Sequence, residues 1–374
     1  MAALTTFKKE LRKCPVCENQ FKEEFMMTGS MRQVSLNINE ELRTFYKKYN
    51  DMPVVPFAYD SITCPKCHFS SLAPDFNNLY PQKSGYSEKE TEAIKQIKIA
   101  VLKTNQSRLD IISSINEVNF NEERNLETAL ASYILTVECY GFFNEKMIPD
   151  TKRAVCALRA AWLASDLGLK DVEYKYYKES HKFYTQILSK PDVSDGFKLG
   201  PDWGNNFGFE GARYIKAVLD LKYIDDVPGY KAKFEVLQNV RATFSKIRGL
   251  GKASQSKRGP LLTMAEDMFE KVQPVYDIVK AKVEKGIIDD DGSAKLDLKF
   301  SVQSESACVS EDNEKADDSV EKSNDETQNE KGDEEDAQTK IKSAATEIVK
   351  YALRAGIRRD SIKDIEKILG KYFS

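Results

Sequence analysis

Two short cysteine motifs, Cys14-Pro-Val-Cys17 and Cys64-Pro-Lys-Cys67, carry the clearest chemistry in this sequence. In each motif the proline favours a tight turn that lets both sulfurs face one ion. Four cysteine thiolates complete the tetrahedral shell that Zn²⁺ prefers in structural sites. The sequence therefore predicts one structural Zn²⁺ bound by Cys14, Cys17, Cys64 and Cys67. Such a site is closed and leaves no position for a substrate or an activated water.

Other interpretations of these cysteines stay open. Each motif could instead be a redox pair, or the cysteines could bind no metal. His68 directly follows Cys67 and could replace one ligand. The 46 residues between Cys17 and Cys64 exceed the roughly 15–20 of a compact zinc ribbon. We therefore expect the metal to join the two ends of a larger insert.

The segment that must position the cysteines, residues 8–80, has the pattern of a small α+β, zinc-ribbon-like domain. Alternating apolar residues in Met31–Ile38 indicate a strand. Five prolines between residues 53 and 81 argue against long helices there. Glu18 and His68 follow the two knuckles, at positions where a glycine would ease a left-handed turn.

Residues 88–285 predict a mainly α domain. Ser87 and Glu90 have the spacing of a helix cap, and six further segments repeat a helical apolar pattern: Leu126–Phe143, Thr151–Gly168, Asp171–Leu188, Gly208–Ile224, Tyr230–Ile247 and Leu261–Val283. The Trp, Leu-Gly and tyrosine positions between residues 158 and 188 resemble a tetratricopeptide unit. We expect an irregular, tetratricopeptide-like antiparallel helical array, with Cys139 and Cys156 as small core residues.

The C-terminal part differs sharply in composition. From Glu311 to Asp336 thirteen acids oppose three lysines, a local charge of −10 within a chain of net charge −3. Residues 300–338 have almost no large apolar side chain, so they predict a disordered acidic linker. Apolar residues at helical spacing return over 339–373 and predict a C-terminal helical hairpin.

Several functional classes are disfavoured. Two histidines in 374 residues are few for acid–base catalysis, and no nucleophile–base pair can be named. Gly249-Leu-Gly-Lys252 lacks the spacing of a phosphate-binding loop. The first 13 residues lack the apolar core of a secretory signal, no apolar run is long enough for a membrane span, and an odd cysteine count suits metal chemistry. We expect a cytoplasmic protein that is not an enzyme and has no membrane partner.

The chain resembles the bacterial family called domain of unknown function 2225 over about residues 10–285. The segments that carry the resemblance are Cys14–Phe21, Phe45–Tyr46, Tyr49–Pro53, Cys64–Ser71, Ala160–Leu163, Gly211–Ile215 and Ala265–Met268. The resemblance implies cysteine knuckles followed by repeat-like helices, and it implies no activity. The acidic linker and the terminal hairpin lie outside the family pattern.

Two functions follow as expectations. The first is a protein-interaction scaffold that binds an unknown protein partner through its helical surface or its C-terminal hairpin. The alternative is a nucleic-acid-binding zinc-ribbon protein that uses the basic segment 236–265, where six cations occur before the first acid: Arg241, Lys246, Arg248, Lys252, Lys257 and Arg258. A solvated loop is the simpler interpretation of that segment.

Overall fold

A computed structural model of the chain describes residues 7–26, 35–46, 55–76, 87–143, 150–189, 208–253 and 259–287, together with Leu296. The chain divides into two compact units, Met1–Ser304 and Glu305–Ser374, and every described residue belongs to the first. The linker predicted for 300–338 and the hairpin predicted for 339–373 lie outside the described residues.

The described residues of the N-terminal part form three antiparallel β-hairpins. Their strands are β1 (Phe7–Lys13) with β2 (Gln20–Met26), β3 (Ser35–Ile38) with β4 (Thr44–Tyr46), and β5 (Ser61–Thr63) with β6 (Ser70–Leu72). The strand expected within Met31–Ile38 is β3, which begins at Ser35. A 3₁₀ turn at Pro56–Tyr59 precedes β5, and the prolines keep this region free of long helices within its described residues.

The helices follow the apolar periodicity closely. They are α1 (Ala73–Phe76), α2 (Glu88–Lys103), α3 (Asn105–Ser113), α4 (Leu126–Tyr140), α5 (Asp150–Asp166), α6 (Lys170–Leu188), α7 (Gly208–Lys222), α8 (Gly229–Ala253) and α9 (Pro260–Glu284). The prediction of a mainly α chain with small N-terminal strands and a helical array is confirmed. The likeness of α5 and α6 to a tetratricopeptide pair stays a prediction. Periodicity missed the short helices α1 and α3.

Local sequence explains where several helices begin and end. Ser87 and Glu90 form a reciprocal capping box at the start of α2. Asn125 accepts a hydrogen bond from the Thr128 amide at the start of α4. Gly168, at φ +70°, ends α5, and the next amide, that of Leu169, donates to the Ala164 carbonyl at 2.8 Å. These signals place α5 and α6 as a tight helical hairpin.

Helix α4 is the central element of the fold. It is buried on nearly every side, because α5 packs on it from one direction and strands β5 and β6 from another. Its sequence is apolar or small almost throughout, as a helix surrounded by protein requires. Cys139 on α4 and Cys156 on α5 are buried in this core, as predicted. The strands that carry the second cysteine pair therefore rest directly on the helical array.

None of the helices within the described residues combines the length and the apolar character that crossing a membrane would need.

Candidate metal centre

Each cysteine pair forms the turn of a β-hairpin. In the first, between β1 and β2, the Cys14 amide donates to the Asn19 carbonyl at 2.8 Å, and the Glu18 amide donates to the Cys14 carbonyl at 3.0 Å. The second, between β5 and β6, repeats both bonds at 2.9 Å, starting from Cys64. The two turns are therefore equivalent knuckles, and each points its two sulfurs in one direction.

Both knuckles close with a residue in the left-handed conformation. Glu18 has φ 60° and His68 has φ 54°, at the two positions where glycine would be easiest. The side chains that replace glycine have neighbours. Glu18 accepts a hydrogen bond from Lys13 Nζ at 3.0 Å, and His68 Nδ1 lies 3.0 Å from Asn105 Oδ1 on α3. This ring nitrogen of His68 thus contacts a helix rather than the cysteine cluster.

The structure brings all four predicted ligands together. The sulfurs of Cys14, Cys17, Cys64 and Cys67 lie within 4.8 Å of one another. Two contacts across the knuckles, Cys14 to Cys67 and Cys17 to Cys64, measure 3.6 Å. A tetrahedron with metal–sulfur bonds of about 2.3 Å has edges of about 3.8 Å, whereas a disulfide bond is about 2.05 Å long. The cluster therefore has the dimensions of a four-thiolate metal site.

The thiols also influence one another's ionisation. Hydrogen bonding from Cys14 lowers the pKa of Cys64, whereas the pKa of Cys14 is raised by its bond to Cys64 and that of Cys67 by its bond to Cys14. One thiolate is thus favoured at the expense of its neighbours. A bound dication removes this conflict because it stabilises several thiolates at once.

A buried arginine on α3 supports the second knuckle. Arg108 is 2% exposed, and its Nη2 and Nε donate to the Cys67 carbonyl at 3.0 and 3.3 Å. It also donates to the Thr104 hydroxyl at 3.0 Å and to the Val101 carbonyl. The guanidinium therefore joins the end of α2 to the backbone of a predicted ligand. Sequence periodicity did not identify Arg108, because a charged residue within a helical pattern is normally assigned to the solvent.

Hydroxyl groups connect the second hairpin to α4. Ser70 Oγ donates to the Ser132 carbonyl at 2.9 Å and lies 2.8 Å from Thr136 Oγ1. Ser61 Oγ lies 2.9 Å from the same threonine hydroxyl, and Thr63 donates to Ser132 Oγ at 3.0 Å. All five residues are buried. This satisfied polar network orients β5 and β6, and with them Cys64 and Cys67, on the array.

A second polar cluster lies where the insert between the knuckles reaches the helices. Glu41, in the turn between β3 and β4, accepts hydrogen bonds from Trp162 on α5, Tyr177 on α6 and Lys222 on α7. Arg43 forms a bidentate ion pair with Asp166 at 2.9 and 2.6 Å. A charged turn offers no apolar period, so sequence reasoning had no signal for this contact.

The basic segment proposed for nucleic acid packs partly against the protein itself. The guanidinium of Arg241 lies 4.9 Å from the ring centroid of Tyr276, and that of Arg248 lies 4.6 Å from that of Phe269. Lys246 is exposed on α8. The side chains of Lys252, Lys257 and Arg258 lie outside the described residues. Two of the six cations therefore contribute to the contact between α8 and α9.

Comparison with known proteins identifies a bacterial family and one relative from that domain of life. The profile of a bacterial family described as "Uncharacterized protein conserved in bacteria (DUF2225)" matches residues 7–272. An "Uncharacterized protein" of Borreliella burgdorferi is 28% identical over 286 residues, which cover 73% of this chain and 97% of that protein. No solved structure matches the chain. The family match contains both knuckles and the helices through about the first half of α9.

Proposed function

This chain belongs to that bacterial family, and we propose that it is a non-enzymatic, cytoplasmic interaction scaffold with one structural Zn²⁺. The observation that carries the proposal is the cluster of four cysteine sulfurs within 4.8 Å, at the tips of two equivalent knuckles. Its dimensions support a site in which the protein supplies every ligand. Such a site leaves no coordination position for substrate, which argues for a structural role.

Zinc is the metal that this ligand set fits best. Four thiolates in a tetrahedral arrangement suit Zn²⁺ or an iron–sulfur centre. Zn²⁺ is not redox-active, which suits a purely structural site. When bound, the ion would supply only cross-linking, by holding the β1–β2 hairpin to the β5–β6 hairpin. The surrounding residues do the positioning, because Arg108 and the hydroxyls of β5, β6 and α4 orient the second knuckle.

The interaction role follows from the array beyond the knuckles. Helices α5 to α9 pack successively on one another and offer a broad surface of the kind that helical arrays use to bind proteins. We propose that an unknown protein partner binds this surface or the C-terminal segment 339–373. Nucleic-acid binding has less support, because Arg241 and Arg248 pack on aromatic rings of α9 instead of standing free for phosphates.

Metal analysis of the purified full-length protein tests the first half of the proposal. We expect about one zinc per chain, released when the thiols are modified. Replacing Cys17 with alanine should reduce the bound zinc to well below one per chain. Replacing Cys139, a buried thiol outside the cluster, should leave about one zinc per chain. Iron in place of zinc, or equal zinc in both variants, would contradict the assignment.

Affinity capture tests the second half. The full-length protein and a chain ending near Lys299 should be used side by side as bait, followed by mass spectrometry. Partners captured by both chains would place binding on the helical array, and partners lost on truncation would place it on the C-terminal segment. Recovery of nucleic acid that disappears at raised salt, with no specific protein, would favour the alternative.

A further inference from the structure

The turn between β3 and β4 has a defined shape of its own. Asn39 Oδ1 accepts hydrogen bonds from the amides of Glu41 and Arg43 at 3.0 and 2.9 Å, and the Leu42 amide donates to the Asn39 carbonyl at 2.9 Å. Leu42 has φ 59° and is fully buried. The asparagine thus holds a tight turn that directs two glutamates outward from the hairpin.

The helices provide a complete receptor for one of these carboxylates. Trp162 donates to Glu41 through its indole nitrogen, Tyr177 through its hydroxyl at 2.6 Å, and Lys222 through Nζ at 2.5 Å. Glu41 is only 6% exposed. Burial raises the pKa of Tyr177 well above 10, so its hydroxyl remains a donor. Three donors from three helices surround a single carboxylate, and one of them carries a positive charge.

The neighbouring charges extend the recognition to a short motif. Lys271 on α9 donates to Glu40 Oε1 at 2.6 Å. Asp166 on α5 pairs with Arg43 through both oxygens. The helices therefore pair with the three charged residues of the turn Glu40–Arg43, whose order along the chain is acid, acid, apolar, base. Trp162, Asp166, Tyr177, Lys222 and Lys271 together are called the acidic-turn site below.

We propose that the acidic-turn site binds a glutamate-bearing turn of a protein partner, and that residues 39–43 occupy it as an intramolecular ligand. This inference rests on the proposed scaffold function and names the chemistry of its partner. Burying ion pairs is seldom the most stabilising way to attach a hairpin, because apolar contacts avoid the desolvation cost. Paired charges in a fixed order confer selectivity instead.

The hairpin is also suited to leave the site as a unit. Its strands have four and three residues, and a two-stranded hairpin of that length is not stable by itself in water. The hairpin therefore needs its contacts with the helices to stay folded. A tethered ligand competes at an effective concentration of roughly millimolar, so a partner binds weakly while the turn is docked and more tightly once it is released.

A labelled cyclic peptide with the sequence of residues 38–44 is the probe for a binding experiment with the full-length protein. We expect the Glu41→Ala variant, whose own turn is weakened as a ligand, to bind this peptide at least about tenfold more tightly than the wild type. Adding Lys222→Met to that variant should remove most of the gain. A peptide with Gln in place of both glutamates is the matched control and should bind neither protein.

Amide hydrogen exchange on the wild type gives a second measurement that does not depend on how the variants fold. Millimolar peptide should speed exchange at Leu42 and Arg43, whose amides bond to Asn39 while the turn is docked. Unchanged exchange, together with no binding by wild type or by folded Glu41→Ala, overturns the inference. If partners are nevertheless captured by the intact array, the scaffold proposal stands and only this assignment of its ligand fails.

Discussion

Replacing Arg108 with methionine is expected to weaken both the fold and metal binding. Methionine retains an unbranched stem of similar length, so the change removes the guanidinium with little loss of packing. The Cys67 carbonyl would lose its side-chain donor at a buried position, and the Val101 carbonyl would keep only the Thr104 hydroxyl as a side-chain donor, at 3.4 Å. The same change detaches the end of α2 from the second knuckle, because the bond to Thr104 is also lost.

The size of the effect can be worked from these contacts. A buried acceptor left unpaired costs about 1–3 kcal/mol, and this cost applies to the Cys67 carbonyl. Removing the guanidinium also removes its desolvation penalty, which offsets part of that cost. We expect the free energy of unfolding to fall by about 1–3 kcal/mol. Loss of a group that orients a ligand typically lowers metal affinity about 10–100-fold.

Two assays check this prediction on the full-length protein. Urea unfolding at fixed zinc concentration measures stability, and competition with a chromophoric chelator measures zinc affinity. Lys103→Met, an exposed cation at the end of α2, is the control for loss of charge and should behave like the wild type. If the zinc affinity of Arg108→Met is within about twofold of that of the control, the guanidinium does not position Cys67 and the prediction is wrong.

Three further predictions concern the same N-terminal part. In the Cys17→Ala variant, the zinc-ribbon-like domain (residues 8–80) should show no cooperative unfolding transition, with or without added zinc. Cys139→Ala should keep the zinc-dependent transition. Near-ultraviolet circular dichroism measures both. Ser70→Ala should lower the free energy of urea unfolding by about 1–2 kcal/mol, because the hydroxyl bonds both Ser132 and Thr136; a change below about 0.5 kcal/mol would mean that the network does not hold the hairpin. Burial raises the pKa of Glu23 from 4.5 to about 7, so its favourable contribution is complete below pH 4.5 and is lost as pH rises through 7. Between pH 4.5 and 7, the free energy of unfolding of the wild type should fall by up to about 3 kcal/mol relative to that of Glu23→Gln, as measured by urea titration. If the free energies of both proteins change in parallel with pH, this prediction is contradicted.

Local chemistry was enough to predict much of the architecture. Apolar periodicity located five helices to within three residues and α8 to within six, because each buries one face or, for α4, nearly its whole surface. The capping box at Ser87 and the glycine that ends α5 depend only on neighbouring residues. The left-handed turns at Glu18 and His68 were predictable for the same reason, since a knuckle imposes its backbone conformation on whatever residue follows.

The cysteine spacing likewise predicted that the four cysteines form one cluster, because each pair is local and only one further contact was needed to join the pairs. Short elements were harder to predict. Helices α1 and α3 have too few turns for a period to emerge, and the basic residues on α8 resembled a free charged loop until their aromatic neighbours on α9 were known. Only for the α8 residues does tertiary packing override the local pattern.

The contacts of charged side chains with residues far away in the sequence were decided by the tertiary structure alone. Arg108 meets Cys67 across 41 positions, and Glu41 meets Lys222 across 181. Nothing local distinguishes such residues from solvated ones, because a charge is buried only when the fold supplies its partners. Residue type and spacing were therefore sufficient for the knuckles and the helices, whereas the surroundings of the metal site and the acidic-turn site exist only once the chain has folded.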